Sequence, residues 1–396
     1  MPRALILVEN LSVPFDRRVW QESRTLVDAG YDVAVICPQG SSYDRERFVQ
    51  RDGVEIHRYP LRTASGGPSE YAREYGIALA HTMKRALRLG RFDIVHACNP
   101  PDLLFLVALP LKRRGTSFLF DQHDLVPELY LSRFGRGKDP LYRATLLLER
   151  ATYRVADVVI SPNDSYRQIA LKRGGKRPDD VFVVRSGPAL DLFEPVPPDE
   201  SLKRGAPHLL CYLGVMGPQD GVDYALRSLA HLRNGLQRDD WHAVFVGAGD
   251  RFDAMRALSH ELGLHERVTF TGRIPDAELV GYLSTADVCL APDPLNPLND
   301  VSTMNKIMEY MAMGRPIVAF DLKEARVSAG EAALYATPND EKAFAALTAR
   351  LLADPEERAQ RGAVSRARAK GLSWEHSKAP LLAAYDRALA RDVGAC

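Results

Sequence analysis

Along the 396 residues, short apolar runs alternate with longer segments whose apolar positions recur every three or four residues. Short apolar runs bounded by Gly, Pro, Asn or Asp read as buried strands, and the longer period reads as amphipathic helix. In the first half the pattern predicts strands at 4–8, 32–37, 54–59, 94–97, 117–121, 158–161 and 181–184. Helices fall between them at 16–28, 69–89, 101–113 and 142–155. A proline-rich break at 187–198, with Pro188, Pro195, Pro197 and Pro198, reads as a linker. The alternation then restarts, with strands at 209–214, 243–247, 268–271, 288–291, 317–320 and 334–336 and helices at 221–232, 251–262, 276–284, 304–313 and 341–352. Strand–helix alternation of this kind predicts parallel sheets covered by helices. The fold class expected is therefore α/β, with two Rossmann-like domains facing across a cleft. They are placed at 1–190 and 191–372, followed by an amphipathic tail, 373–396, that carries Trp374 and Tyr385.

Composition narrows the classes. An apolar share of 46% supplies ample core, and no run of 18 apolar residues or signal peptide is visible, so a cytoplasmic, soluble chain is expected. Cys37, Cys98, Cys211 and Cys289 lie in strand-like runs and read as buried thiols, and Cys396 as a loose one. The chain contains no D-x-D, H-E-x-x-H or C-x-x-C, so no metal is expected. G-x-S-x-G and a strand-following G-x-G-x-x-G are also absent, which argues against a serine hydrolase and a dinucleotide enzyme. Residues 1–195 hold 29 Lys and Arg against 24 Asp and Glu, and the rest hold 23 against 27. The basic half suits an anionic surface or acceptor, or is an ordinary solvated face.

The most specific chemistry lies at 299–321, N-D-V-S-T-M-N-K-I-M-E-Y-M-A-M-G-R-P-I-V-A-F-D. Asn299, Asp300, Ser302 and Thr303 are loop or N-cap residue types ahead of a helix opening at Met304 and Asn305. Gly314 fits a left-handed cap, and Pro316 bars continuation. A helix N-terminus offers unpaired N–H groups and about half a positive charge, which suits a phosphate. Glu309, further along, is spaced to accept hydrogen bonds from vicinal hydroxyls, and Lys306 shares its face and can pair with it. A phosphate beside hydroxyls describes a nucleotide sugar; the plain alternative is a capped helix before a core strand.

Other loops fall at strand ends. L-G-V-M-G-P-Q-D-G-V-D-Y at 213–224 carries Gly214, Gly217 and Gly221, which would let backbone approach a phosphate or would simply build a turn. V-G-A-G-D at 246–250 adds Gly247, and F-T-G-R-I-P at 270–275 adds Arg273 and Ile274. P-D-P-L-N-P at 292–297 is irregular where a ligand loop would begin. In the first half, Arg17 and Arg18 oppose the dipole of the helix they open, which hints at an anionic partner or at a surface pair with Asp16 or Glu22. F-D-Q-H-D-L-V-P-E-L-Y at 120–130 sets His123 between Asp121 and Asp124 at a strand end, with Glu128 beyond. His96 sits similarly in D-I-V-H-A-C-N-P.

Residues 302–319 resemble the donor signature of the family 4 retaining glycosyltransferases of the GT-B fold, [S/P]-x-x-K-x-x-E-Y-M-A-x-G-x-P-V-V-A, and weaker matches cover nearly the whole chain. The resemblance implies that the C-terminal domain binds a nucleoside-diphosphate sugar, UDP- or GDP-linked. Donor contacts would come from Gly214, Gly217, Gly247, Arg273, Ile274, Asp300, Ser302, Thr303, Met304 and Asn305. His123, Glu309 and Lys306 would be the catalytic set, Glu309 holding the ribose and His123 lying near the reacting centre. Arg17, Arg18, His96, Asp124 and Glu128 are candidates for acceptor or phosphate contact. No cofactor, metal or nucleic acid is implied, and the tail would cross back to the first domain. Three slots depart from the family: Val215 and Asp220 replace the arginine and lysine of G-R-L-x-x-x-K-G, and Val301 replaces the first glutamate of E-x7-E. Either Asp220 points away or another cation serves, Lys306 first, Arg17 or Arg18 second. The chain is also similar to bacterial cell-surface polysaccharide enzymes, which implies a glycan or lipid-linked acceptor. Lys84, Arg85, Arg88 and Arg91 on helix 71–91 then fit peripheral contact with an anionic membrane. Two further possibilities stay open: a GT-B nucleotide-sugar epimerase without an acceptor, and a non-catalytic sugar-nucleotide binder.

Overall fold

Both alternations fold into sheets, and the backbone of each explains where its loops converge. The structure, a computed structural model, describes residues 1–40, 43–62, 67–134, 137, 139–188, 190 and 192–390. Cys396 and linker positions 189 and 191 lie outside the described residues. The chain divides into one unit comprising Met1–Ser186 with the tail from Trp374, and a second comprising Gly187–Ser373.

The first unit runs β1 (Arg3–Leu7), α1 (Arg17–Asp28), β2 (Asp32–Pro38), β3 (Phe48–Arg51), β4 (Val54–Tyr59), α2 (Pro68–Arg88), β5 (Ile94–Cys98), α3 (Phe105–Lys112), β6 (Ser117–Asp121), α4 (Val126–Phe134), α5 (Pro140–Val155), β7 (Val158–Ser161), α6 (Asp164–Lys172) and β8 (Val181–Val183). The sheet order is β3-β4-β2-β1-β5-β6-β7-β8. The β3–β4 pair is antiparallel, and every other pairing among the described strands is parallel. Because side chains alternate across a strand, β1 feeds two cores. Ala4 and Ile6 pack in one with Val33, Val35 and the tail residues Trp374 and Leu381. Leu5 and Leu7 pack in the other with Ala34, Ile36, Val107 and Phe118. Burial on both faces is why these strands read as unbroken apolar runs.

The second unit runs β9 (His208–Leu213), α7 (Val222–Asn234), β10 (Trp241–Val246), α8 (Phe252–Glu261), β11 (Val268–Gly272), α9 (Asp276–Thr285), β12 (Val288–Ala291), α10 (Asn305–Ala312), β13 (Ile317–Phe320), α11 (Lys323–Ala329), β14 (Ala333–Ala336), α12 (Glu341–Ala353) and α13 (Pro355–Gly371). Its parallel sheet has the order β11-β10-β9-β12-β13-β14. Strand order reverses between β9 and β12 here, and between β1 and β5 in the first unit. At such a reversal the following loops diverge and leave a crevice at the strands' carboxyl ends.

The last helix, α14 (Glu375–Ala390), belongs to the first unit although its sequence follows the second. Trp374 Nε1 donates to Thr25 Oγ1 at 2.9 Å, Ser377 Oγ to the Arg185 carbonyl at 2.9 Å, and Ser117 Oγ to the Ala388 carbonyl at 2.8 Å. With Trp374, Leu381, Tyr385 and Ala388 buried, each large apolar side chain contributes about 1.5–3 kcal/mol.

Candidate functional site

In the second unit the loop after β9 is pinned to the loop after β10. The Gly214 N–H donates to the Val246 carbonyl (3.0 Å) and that of Met216 to the Ala248 carbonyl (3.1 Å). This closeness dictates glycine. Gly247 has φ +131°, and a Cβ there would sit 1.9 Å from the Gly214 carbonyl oxygen. Gly221, φ +70°, would place a Cβ 2.0 Å from the Pro292 carbonyl oxygen. Three backbones thus meet at the β9/β12 reversal with almost no side chain between them.

Lys306 enters this cradle. It is buried on α10, its Nζ lies 2.5 Å from Asp293 Oδ1 and 5.1 Å from the Tyr212 ring centroid, and its Cε lies 3.2 Å from where a Gly214 Cβ would stand. The pairing expected with Glu309 is corrected: the ammonium is on Asp293, which lies two residues beyond β12. Asp293 Oδ2 is buried and has no hydrogen-bond partner among the described residues. Tyr212 donates its hydroxyl to the Val215 carbonyl at 2.7 Å. Its phenol is pushed well above the usual range, by burial first and then by Asp220 and Asp293. Asp220 turns back on its own loop and accepts the Gly217 N–H at 2.9 Å. A cation therefore does reach the glycine loop, from α10 rather than from the loop's own lysine slot.

Several of the expected donor residues also hold bonds within the scaffold. Asn299–Val301 form a separate 3-10 turn, and Met304 caps α10 with backbone alone. Asn299 Nδ2 donates to the Gln219 and Pro294 carbonyls, Asp300 Oδ1 accepts from the Lys323 N–H, and Ser302 Oγ donates to the Leu298 carbonyl. Thr303 and Glu309 are half-buried and Asn305 is exposed. Gly314 has φ +64°, and the Gly314 and Arg315 N–H groups return to the Met311 and Tyr310 carbonyls, closing α10. Arg273 is exposed, whereas Ile274 packs against the core.

The first unit gathers charge at its strand ends. Asp121, the last residue of β6, is wholly buried and receives Arg18 through Nη2–Oδ1 (2.8 Å) and Nε–Oδ2 (3.1 Å). Arg18 also reaches Glu22 Oε1 (3.2 Å), the Val184 carbonyl (2.9 Å) and Ser186 Oγ (3.1 Å). His123 Nε2 lies 2.6 Å from Asp121 Oδ2, and its backbone N–H donates to Asn99 Oδ1 at 2.7 Å. Burial alone would raise the Asp121 carboxyl, but Arg18 and then His123 hold it well below the usual range. Glu22 goes the other way: burial, then Asp121, push it well above, with Arg18 offsetting only part.

Three expectations change here. Arg18 is an internal counterion, not a surface cation waiting for an anion. His96 is wholly buried, with Nδ1 2.8 Å from the Tyr385 hydroxyl and Nε2 3.4 Å from Asp121 Oδ2, so it lines no acceptor surface. Its imidazole is pushed down by burial, against the pull of Asp121. Glu128, on α4, gives both oxygens to Arg173 (2.5 and 3.0 Å), which also holds Glu149. Asp124 and Arg17 remain half-buried at the loop ends. Glu22, Cys98, Asp121 and His123 offer atoms within 4.8 Å of one another, a spacing that could hold a metal ion. They do not fit one: the guanidinium of Arg18 already stands between the carboxylates, and burial pushes the Cys98 thiol well up. On α2, Lys84 and Arg88 are exposed, but Arg85 turns inward over the Tyr59 ring at 5.5 Å. No helix among the described residues is long and apolar enough to cross a membrane.

Asp293, Tyr212, Glu22 and Tyr385 do not stand out from the sequence as site residues. Asp293 has one usable signal, a carboxylate two residues past a buried strand at the expected reversal.

Comparison with known proteins agrees with this architecture. Residues 207–354 match the model of "Glycosyl transferases group 1", and residues 16–187 that of the "Glycosyl transferase 4-like domain". The chain is 30% identical to the D-inositol 3-phosphate glycosyltransferase of Thermobifida fusca, over 88% of this chain and 71% of that one. It is 26% identical to the MMP α-(1→4)-mannosyltransferase of Mycolicibacterium hassiacum, over 94% of each. Sucrose-phosphate synthase of Thermosynechococcus elongatus shares the fold, with a TM-score of 0.80, 21% identity and coverage of 99% and 100%. With its two parallel-sheet units and matched donor signature, the chain belongs to the family 4 glycosyltransferases of the GT-B fold.

Proposed function

We propose that this glycosyltransferase moves a hexose, with retention, from a nucleoside-diphosphate sugar to a hydroxyl of a glycan, lipid-linked or small-molecule acceptor, without a divalent cation. One observation carries the proposal: the buried Lys306 ammonium lies in the glycine cradle at the reversal of the second sheet, one helical turn before Glu309. Lys306 and the loop amides would stabilise the departing diphosphate, the task a divalent ion would otherwise perform. Glu309 would accept from the ribose hydroxyls. The acceptor would be held by the first unit near His123. As the anomeric C–O bond to phosphate breaks, the acceptor oxygen attacks from the same face and its proton passes to the departing phosphate oxygen. Leaving-group charge and incoming proton are thereby settled on one atom.

A thermal-shift panel of UDP, GDP, ADP and their sugars on wild type and Glu309→Ala tests this. At about 100 times its dissociation constant, a bound nucleotide adds roughly 2.7 kcal/mol of stability. A shift with one diphosphate, lost in Glu309→Ala, is expected. No shift with any member would remove the donor assignment.

A further inference from the structure

The side chain of Asn99, one residue past β5, is fully used. Its Nδ2 donates to Asp102 Oδ1 (2.9 Å) and to the Asp124 carbonyl (2.7 Å), and its Oδ1 accepts the N–H groups of His123 (2.7 Å) and Asp124 (3.1 Å). Asn99 thus takes the part of a neighbouring strand for the loop after β6, and Asp102 fixes which way its amide faces.

Asp102 is an incomplete group. It is 3% exposed, and its Oδ2 has no hydrogen-bond partner among the described residues. The same holds for Oε2 of Glu149, buried on α5. The two residues are neighbours: Thr152, one turn after Glu149, donates its hydroxyl to the Asp102 carbonyl at 3.2 Å. The other Glu149 oxygen and both of Glu128 are taken by Arg173, directly after α6. Asp124 adds a fourth carboxyl, Arg150 is exposed, and burial keeps the Tyr153 phenol well above its usual range. One guanidinium therefore stands among four carboxyls. Two bare carboxyl oxygens on adjacent buried residues call for a hydrogen between them. Burial and then Glu149 push Asp102 up to about 8, whereas Arg173 draws Glu149 back down. The hydrogen belongs on Asp102, and on Oδ2, because Oδ1 already accepts from Asn99.

We propose that Asp102 and Glu149 hold one hydrogen between them and that this pair, acting through Asn99, is a positioning device that keeps the loop after β6 in place only while the hydrogen is present. When alkali removes it, two buried carboxylates face each other and repel. Thr152 holds the Asp102 backbone, so the Asp102 side chain rotates away instead. The Asn99 amide then loses the contact that fixes its direction, and the His123 and Asp124 N–H groups lose their acceptor. Asp102, Glu149 and Asn99 touch no substrate and act through the loop. The consequence for transfer rests on the transferase assignment above; the shared hydrogen and the response of the loop do not.

Carbon-13 spectra of full-length protein labelled at its aspartate carboxyls test the shared hydrogen. One signal should titrate with a midpoint of about 8, be missing in Asp102→Asn and move to lower pH in Glu149→Gln. If no wild-type aspartate titrates above the usual carboxylate range, the proposal is overturned, and that outcome needs no variant. Amide hydrogen exchange at His123 and Asp124 reads the loop. Asp102→Asn keeps an acceptor for Asn99 and a permanent N–H for Glu149, so dividing wild-type rates by its rates at the same pH cancels the intrinsic effect of base. The ratio should rise about tenfold between roughly pH 7 and pH 9. A constant ratio overturns the proposal; if Asp102→Asn does not fold, Glu149→Gln supplies the reference, with the same reading. In transfer assays with UDP-glucose and GDP-mannose, wild-type kcat should fall by up to about tenfold per pH unit above the midpoint, and Asp102→Asn should lose that decline. The same decline in both would also overturn it. Absence of transfer by the wild type would instead count against the transferase assignment, and would leave the carboxyl and exchange results standing.

Discussion

The loops at the two sheet reversals occupy the same place in the same kind of fold and are built in opposite ways. In the second unit the loop after β9 contains Gly214, Gly217 and Gly221, and backbones press together so closely that side chains are excluded. In the first unit the loop after β1, E-N-L-S-V-P-F-D, has no glycine, although the family often carries several there. Side chains fill it: Glu9, Ser12 and Asp16 are buried, and Ser12 Oγ donates to Asp44 Oδ2 at 2.9 Å. A backbone-lined crevice suits a diphosphate, whose oxygens want amides. A side-chain-lined one discriminates by shape and hydroxyl pattern. The difference favours the second unit as the donor's side more firmly than any single residue does.

The largest effect expected from breaking this contrast is Gly247→Ala. Its Cβ would meet a backbone oxygen, which cannot rotate away, so urea unfolding should show a loss above about 5 kcal/mol, together with loss of any nucleotide-induced thermal shift. Next comes Lys306→Met. It strands the buried Asp293 carboxylate and should cost about 3–5 kcal/mol, most of which returns in the double variant with Asp293→Asn. A double-mutant cycle measures that coupling. Recovery of stability without recovery of nucleotide binding would separate the fold's need for Lys306 from the ligand's.

The effect that is smallest per step is in pH, where it accumulates one unit at a time. In the first unit Asp102 is pushed up to about 8 by burial and then Glu149, and Glu9 to about 8 by burial and then Glu74. A carboxyl raised in the folded state binds its proton there more readily than when unfolded, so stability falls as pH rises from the usual carboxylate range towards 8. In the second unit His242 is pushed down to about 4 by burial. Its unfolded form takes the proton first, so that contribution is lost as pH falls from the usual imidazole range towards 4. Each group changes stability by at most about 1.4 kcal/mol per pH unit. Urea midpoints followed across pH should show a shallower alkaline decline in Asp102→Asn, with the part due to Glu9 remaining, and should lose the corresponding acid term in His242→Phe.

The fold was largely legible because strands buried on both faces leave long apolar runs. What escaped had weak or polar signals. β3 is short and exposed at the sheet edge, and its only flag was Asp52-Gly53, both at positive φ, a hairpin turn. α13 is rich in Arg and Ala with a narrow apolar stripe, though Asp354, Pro355 and Glu357 spell a capped start. The site was legible where one element carries it, as with Lys306 and Glu309 on α10. Arg18 and Asp121 stand 103 positions apart, and spacing along a chain says nothing about such partners.

The tail helix has a consequence in time. Trp374, Leu381 and Tyr385 complete the core of the first unit, yet the whole of Gly187–Ser373 is translated before them. At roughly 5–20 residues per second that stretch takes about 10–40 s. Throughout that interval the nascent first unit shows the ribosome's surroundings an uncovered apolar face, and a chaperone has time to find it.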